Sequence, residues 1–77
     1  MKSTQTVAAF NYGVEFATYL NDHPEESQNW GKLDRKDGIP EGDYVELTRV
    51  FGDCTPEMED QFRAGFNATL INNSRSK

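Results

Sequence analysis

Only one cysteine, Cys54, occurs in the 77 residues, so no disulfide can form within the chain. A lone thiol fits a reducing, intracellular setting. Apolar material is also scarce, at 35% hydrophobic with a mean hydropathy of -0.82. No apolar run approaches the roughly 18 residues needed to cross a bilayer. Nor does an apolar segment follow Met1-Lys2-Ser3-Thr4-Gln5-Thr6 in the manner of a signal peptide. The expectation is a soluble, cytoplasmic protein, in which the acceptor patterns Asn67-Ala68-Thr69 and Asn72-Asn73-Ser74 carry no glycan. Basic residues are the minority, 8 against 13 acidic, for a net charge of -5. That balance disfavours direct binding to a nucleic-acid backbone, which rests on clustered Lys and Arg. It steers the chain toward basic surfaces, although mild acidity also serves solubility alone.

Catalytic and metal-binding patterns are missing as well. No glycine-rich phosphate loop, zinc ligand pair or nucleophile elbow is present, and no cofactor is implied. Asp34 to Asp43 invites comparison with a calcium loop and fails on spacing. With Gly38 at the central glycine, the third ligand position falls on Arg35 and the twelfth on Tyr44. His23, the single histidine, precedes a proline and reads as a capping or solvated residue. Cys54 stands before a helix start, where the dipole would lower its pKa, but Asp53, Glu57 and Glu59 oppose that. It reads as a packing residue.

What is present is helical patterning. Thr55-Pro56 is a helix start, with a hydroxyl to cap the first turn and a proline where its missing N–H costs nothing. Glu57, Glu59 and Asp60 suit the positive end of the dipole. Met58, Phe62, Phe66 and Leu70 then recur at four-residue steps, with Gly65 and Thr69 on the same side. A second helix is expected from Thr6 to about Leu20, through Val7, Phe10, Val14 and Ala17. Tyr12, Phe16 and Tyr19 form a second stripe beside the first, so the apolar arc covers roughly two thirds of the circumference against about 100° for a surface helix. Either this helix is central or its second stripe faces another molecule. A third helix, preferred to a strand, spans 41–51 through Tyr44, Leu47 and Phe51, with Pro40 at its start and Gly52 as its C-terminal cap. Residues 21–43 make a long polar connection with a possible short helix near 24–30, capped by Asp22 or His23. Trp30, Leu33 and Ile39 would pin that connection. Gly13 and Gly65, each three residues after a Phe, would let the first and last helices cross closely.

The fold class expected is therefore all-α, a small single three-helix domain over 1–77, with frayed tails at 1–5 and 72–77. The function expected is a non-enzymatic protein-binding module, an acidic inhibitor or adaptor that occludes a partner's basic surface. By analogy of type alone, such proteins occur on mobile genetic elements, and a mimic of the nucleic-acid backbone is the sharper version. Tyr12, Phe16, Tyr19 and Trp30 would supply binding energy. Glu25, Glu26, Asp34, Asp37, Glu41 and Asp43 would supply charge if they line one surface. The wide arc also points to a homo-oligomer. The alternative is a small-ligand binder or sequestering protein, with Trp30 and the tyrosines lining a pocket between chains.

Overall fold

The computed structural model describes residues 4–31, 33–34 and 37–70; the tail expected at 72–77 and the first three residues of the one at 1–5 lie outside that range. Its elements are all helices: α1 (Thr4–Asn21), α2 (Pro24–Ser27), α3 (Glu41–Phe51) and α4 (Pro56–Thr69). Among the described residues there is no strand, which settles 41–51 as helix. Two boundaries differ from expectation: Thr4 and Gln5 belong to α1 rather than to a frayed tail, and α2 ends at Ser27 rather than near 30; its N-cap residue His23 supplies no side-chain cap.

The start and stop signals work as chemistry requires. Thr55 Oγ1 accepts from the Met58 N–H at 3.2 Å, and Pro56 takes the first helical position of α4. Gly52 closes α3 with φ at 85°, a left-handed conformation that glycine adopts without a Cβ penalty.

The core is the crossing of α1 with α4. Ala9, Gly13, Ala17 and Leu20 are buried on α1; Met58, Phe62, Gly65 and Phe66 are buried on α4. The two glycines set the separation. A Cβ on Gly13 would overlap the Phe62 carbonyl oxygen and come within 2.9 Å of the Phe66 nitrogen. One on Gly65 would overlap the Phe10 carbonyl oxygen and touch Val14 Cγ2 at 3.2 Å. Each helix thus meets the other's backbone. At the far end, Asn21 Nδ2 donates to the Thr69 carbonyl at 3.0 Å, satisfying a carbonyl that the end of α4 leaves free.

The long connection is held by two α4 side chains that follow the core phenylalanines. Asn67 pairs with the Leu33 main chain in both directions: the Leu33 N–H donates to Oδ1 at 2.8 Å, and Nδ2 donates to the Leu33 carbonyl at 2.9 Å. Arg63 is buried, donating to the Asp37 carbonyl at 2.7 Å and to the Asp60 carboxylate at 2.8 Å. Removing the Asn67 amide by Asn67→Ala would strand two Leu33 groups, at about 1–3 kcal/mol. Urea denaturation should show that loss, with faster proteolysis near residue 33 in the native state.

Candidate interaction surface

The aromatic residues divide between the inside and the outside. Phe16 stacks on Phe66 with centroids 5.7 Å apart and meets the edge of Trp30 at 5.1 Å; Trp30 also contacts Phe66 at 6.0 Å. Tyr12, Phe16 and Trp30 are all partly buried against the core. Helix α1 is therefore central, but the face it buries is Ala9, Gly13, Ala17 and Leu20. Of the first expected stripe only Ala17 is buried, Phe10 and Val14 are partly covered and Val7 is exposed, while Trp30 and Phe66 cover Phe16 of the second. Trp30 is a core anchor. Tyr19 alone of the four is exposed, at 41%.

Tyr19 occupies the corner between α1 and α2. Its ring lies 4.0 Å from that of His23, and its hydroxyl donates to the Glu26 carboxylate at 3.3 Å. Partial burial, then Glu26 and Glu25, push its phenol above the ordinary value. His23 Nδ1 lies 2.8 Å from the Tyr19 carbonyl. A carbonyl only accepts, so Nδ1 carries the proton there.

The acidic residues proposed from sequence fall into three places. Glu25 and Glu26 are exposed on α2 beside Tyr19. Asp34 and Asp37 close a turn in the connection, the Asp34 N–H donating to Asp37 Oδ2 at 2.8 Å and the Asp37 N–H to the Asp34 carbonyl at 2.8 Å. Glu41 is exposed and Asp43 half-buried in the first turn of α3. Three further exposed or half-buried carboxylates escaped the sequence reading: Glu15, Asp22 and Glu46. Glu15, Tyr19 and Asp22 are exposed at four- and three-residue steps, one face of a helix running about 10 Å over two turns. Glu15 and Glu46 both act on Asp43. An acidic band thus runs from the start of α3 across α1 to α2, with Tyr19 near its middle.

Six of the basic residues, Lys2, Lys32, Arg35, Lys36, Arg75 and Lys77, lie outside the described residues. All thirteen Asp and Glu lie among the described residues, whereas of the eight basic residues only Arg49 and Arg63 do. Arg49 is exposed and paired with Glu46 within α3, and Arg63 is committed inside the fold.

Cys54 and His23 stand apart. Cys54 precedes α4 and His23 lies beyond the end of α1, which is tied to the end of α4; fourteen residues of helix place about 21 Å between those ends. Burial, then Glu59 and Asp53, push the Cys54 thiol up, as for a packing residue. Among the described residues no group of three or more His, Cys, Asp or Glu is placed to hold a metal ion, and no helix is long and apolar enough to cross a membrane. No family model matches the chain, and neither a curated protein nor a solved structure matches it.

Proposed function

We propose that this chain is a non-enzymatic protein-binding module whose acidic band docks on a basic protein surface and occludes it. The observation that carries this reading is the placement of the exposed Glu25 and Glu26 beside the exposed ring of Tyr19, in a chain whose net charge is -5. Carboxylates arranged this way speed encounter with a positive patch and reject negative ones. Tyr19 supplies the amphipathic contact common at interfaces, with an exposed ring and a hydroxyl held by Glu26. Where the partner's basic surface serves nucleic acid, occlusion is mimicry of the phosphate backbone. Self-association, expected from the width of the α1 arc, would have to use what remains exposed: Val7 and Tyr19 on α1, with Tyr44, Val45 and Val50 on α3.

Affinity capture from an extract of the host, comparing the wild type with Glu25→Gln/Glu26→Gln and with Tyr19→Ala, tests the reading. The wild type should retain a protein with a basic surface, and both variants should retain at least several-fold less of it. Equal capture by all three would remove the band from the account. Sedimentation of the wild type at micromolar concentration decides the oligomeric state, and a monomer throughout would remove self-association.

A further inference from the structure

The turn that leads Asp37 into Gly38 carries a reactivity separate from binding. In an Asp-Gly pair, a bond from the glycine nitrogen to the aspartate Cγ closes a five-membered imide ring, and covalent proximity favours that attack. Glycine leaves the nitrogen unobstructed: Gly38 is exposed, and nothing lies within 4 Å of where a Cβ would stand. The two carbonyl groups of such a ring are those of the Asp37 side chain and the Asp37 main chain. Each already accepts a hydrogen bond. The Asp34 N–H donates to Asp37 Oδ2 at 2.8 Å, and Arg63 Nη1 donates to the Asp37 main-chain oxygen at 2.7 Å. Arg63 is buried and its second arm is held by Asp60 at 2.8 Å, which fixes the guanidinium against that oxygen.

We propose that Asp37-Gly38 is a site of main-chain isomerisation, and that Arg63 directs the ring to open as isoaspartate. In the closing step the Gly38 nitrogen attacks Cγ of the protonated carboxyl. The N–Cγ bond forms, the nitrogen gives up its proton, and Oδ1 leaves as water. Negative charge develops meanwhile on Oδ2, the atom that the Asp34 N–H serves. In the opening step water attacks one of the two ring carbonyls. Attack at Cγ breaks the new bond and restores aspartate. Attack at the main-chain carbonyl breaks its bond to the Gly38 nitrogen, which regains a proton, and leaves a free carboxylate. The chain then runs through the former side chain, one methylene longer and unchanged in mass. Arg63 favours this second course twice. It stabilises the oxyanion that forms at the main-chain carbonyl, and in the product it donates to a charged acceptor instead of a neutral one. The Asp34 N–H keeps its acceptor too, because Oδ2 becomes the oxygen of the new peptide link. Negative charge thereby passes from the Asp34–Asp37 turn to the buried Arg63.

Incubation at physiological pH and temperature in water labelled with heavy oxygen counts both outcomes, because every ring opening leaves one label. Peptide mass spectrometry with electron-transfer fragmentation tells the two products apart. Labelled isoaspartate should accumulate at position 37. Its ratio to labelled aspartate should be on the order of tenfold higher in the folded chain than in the same chain in urea, the effect of one hydrogen bond to a charged group. Gly38→Ala, whose new methyl meets no neighbour, should slow both products by at least several-fold in a folded protein. Arg63→Met should lower the ratio to the urea value; if circular dichroism shows that variant unfolded, the wild-type comparison decides alone. Absence of isoaspartate from position 37 of the folded chain would overturn the proposal, as would equal ratios in the folded chain and in urea. So would an undiminished rate in Gly38→Ala, or the wild-type ratio in a folded Arg63→Met.

Discussion

Gly13→Ala should destabilise the fold by about 2–3 kcal/mol, although the same change in an open helix stabilises it. Alanine gains up to about 1 kcal/mol of helix propensity over glycine. At Gly13 that gain is outweighed, because the new methyl would meet the Phe62 carbonyl and the Phe66 nitrogen, main-chain atoms that cannot swing aside. Relief requires α1 and α4 to separate along their whole contact, and overpacking of this sort costs about 1–3 kcal/mol or more. Gly65→Ala meets Phe10 in the same way and should behave alike. Gly42→Ala, on α3 with nothing within 4 Å of the added Cβ, is the control and should be neutral or slightly stabilising. Urea denaturation of the three variants checks the difference in sign. A Gly13→Ala protein as stable as the Gly42→Ala protein would mean that the helices do not touch at their glycines.

Phe62→Ala should cost still more, about 3–5 kcal/mol by loss of buried surface and the cavity left behind. Phe62 is wholly buried, stacks 6.3 Å from Phe66 and sits where α4 meets Gly13. A domain of this length holds only about 4–12 kcal/mol in total, so the variant should be largely unfolded at physiological temperature. Phe62→Leu, which keeps most of the volume, should cost about 1.5 kcal/mol or less. Thermal melts followed by circular dichroism distinguish the two, and a near-neutral Phe62→Ala would remove Phe62 from the core.

The fold was readable where local chemistry determines it. Thr55-Pro56 and Gly52 mark helix ends by capping geometry, and the ends they mark are the observed ones. The glycine crossing was readable because a residue without a Cβ on a buried face has few other uses. The helix at 24–27 was readable from Pro24 and the acids behind it, but its cap was not, since the His23 ring turns back to Tyr19 instead. The anchoring of residues 30–37 was hidden. Arg63 and Asn67 act on main-chain groups 26 and 34 residues away, and such bonds leave no periodicity in the sequence.

The surface was legible only in part. Tyr19, Glu25 and Glu26 do come together. Tyr12, Phe16 and Trp30 share the aromatic pattern of Tyr19 but face the core, because a period fixes which residues share a face and not what covers it. Glu15 and Asp22 were overlooked although their spacing around Tyr19 was in plain view. Asp43 was counted among the acidic candidates, but its half-burial was not legible, since that depends on how α3 packs.

The measurement that bears most directly on the account is the affinity of the captured partner as a function of salt. Surface charges act over about 8 Å at physiological ionic strength and about 3 Å at 1 M. An interface carried by Glu15, Asp22, Glu25 and Glu26 should therefore weaken by about tenfold or more across that interval, mainly through slower association. Affinity unchanged by salt would contradict the proposal that an acidic band docks on a basic surface.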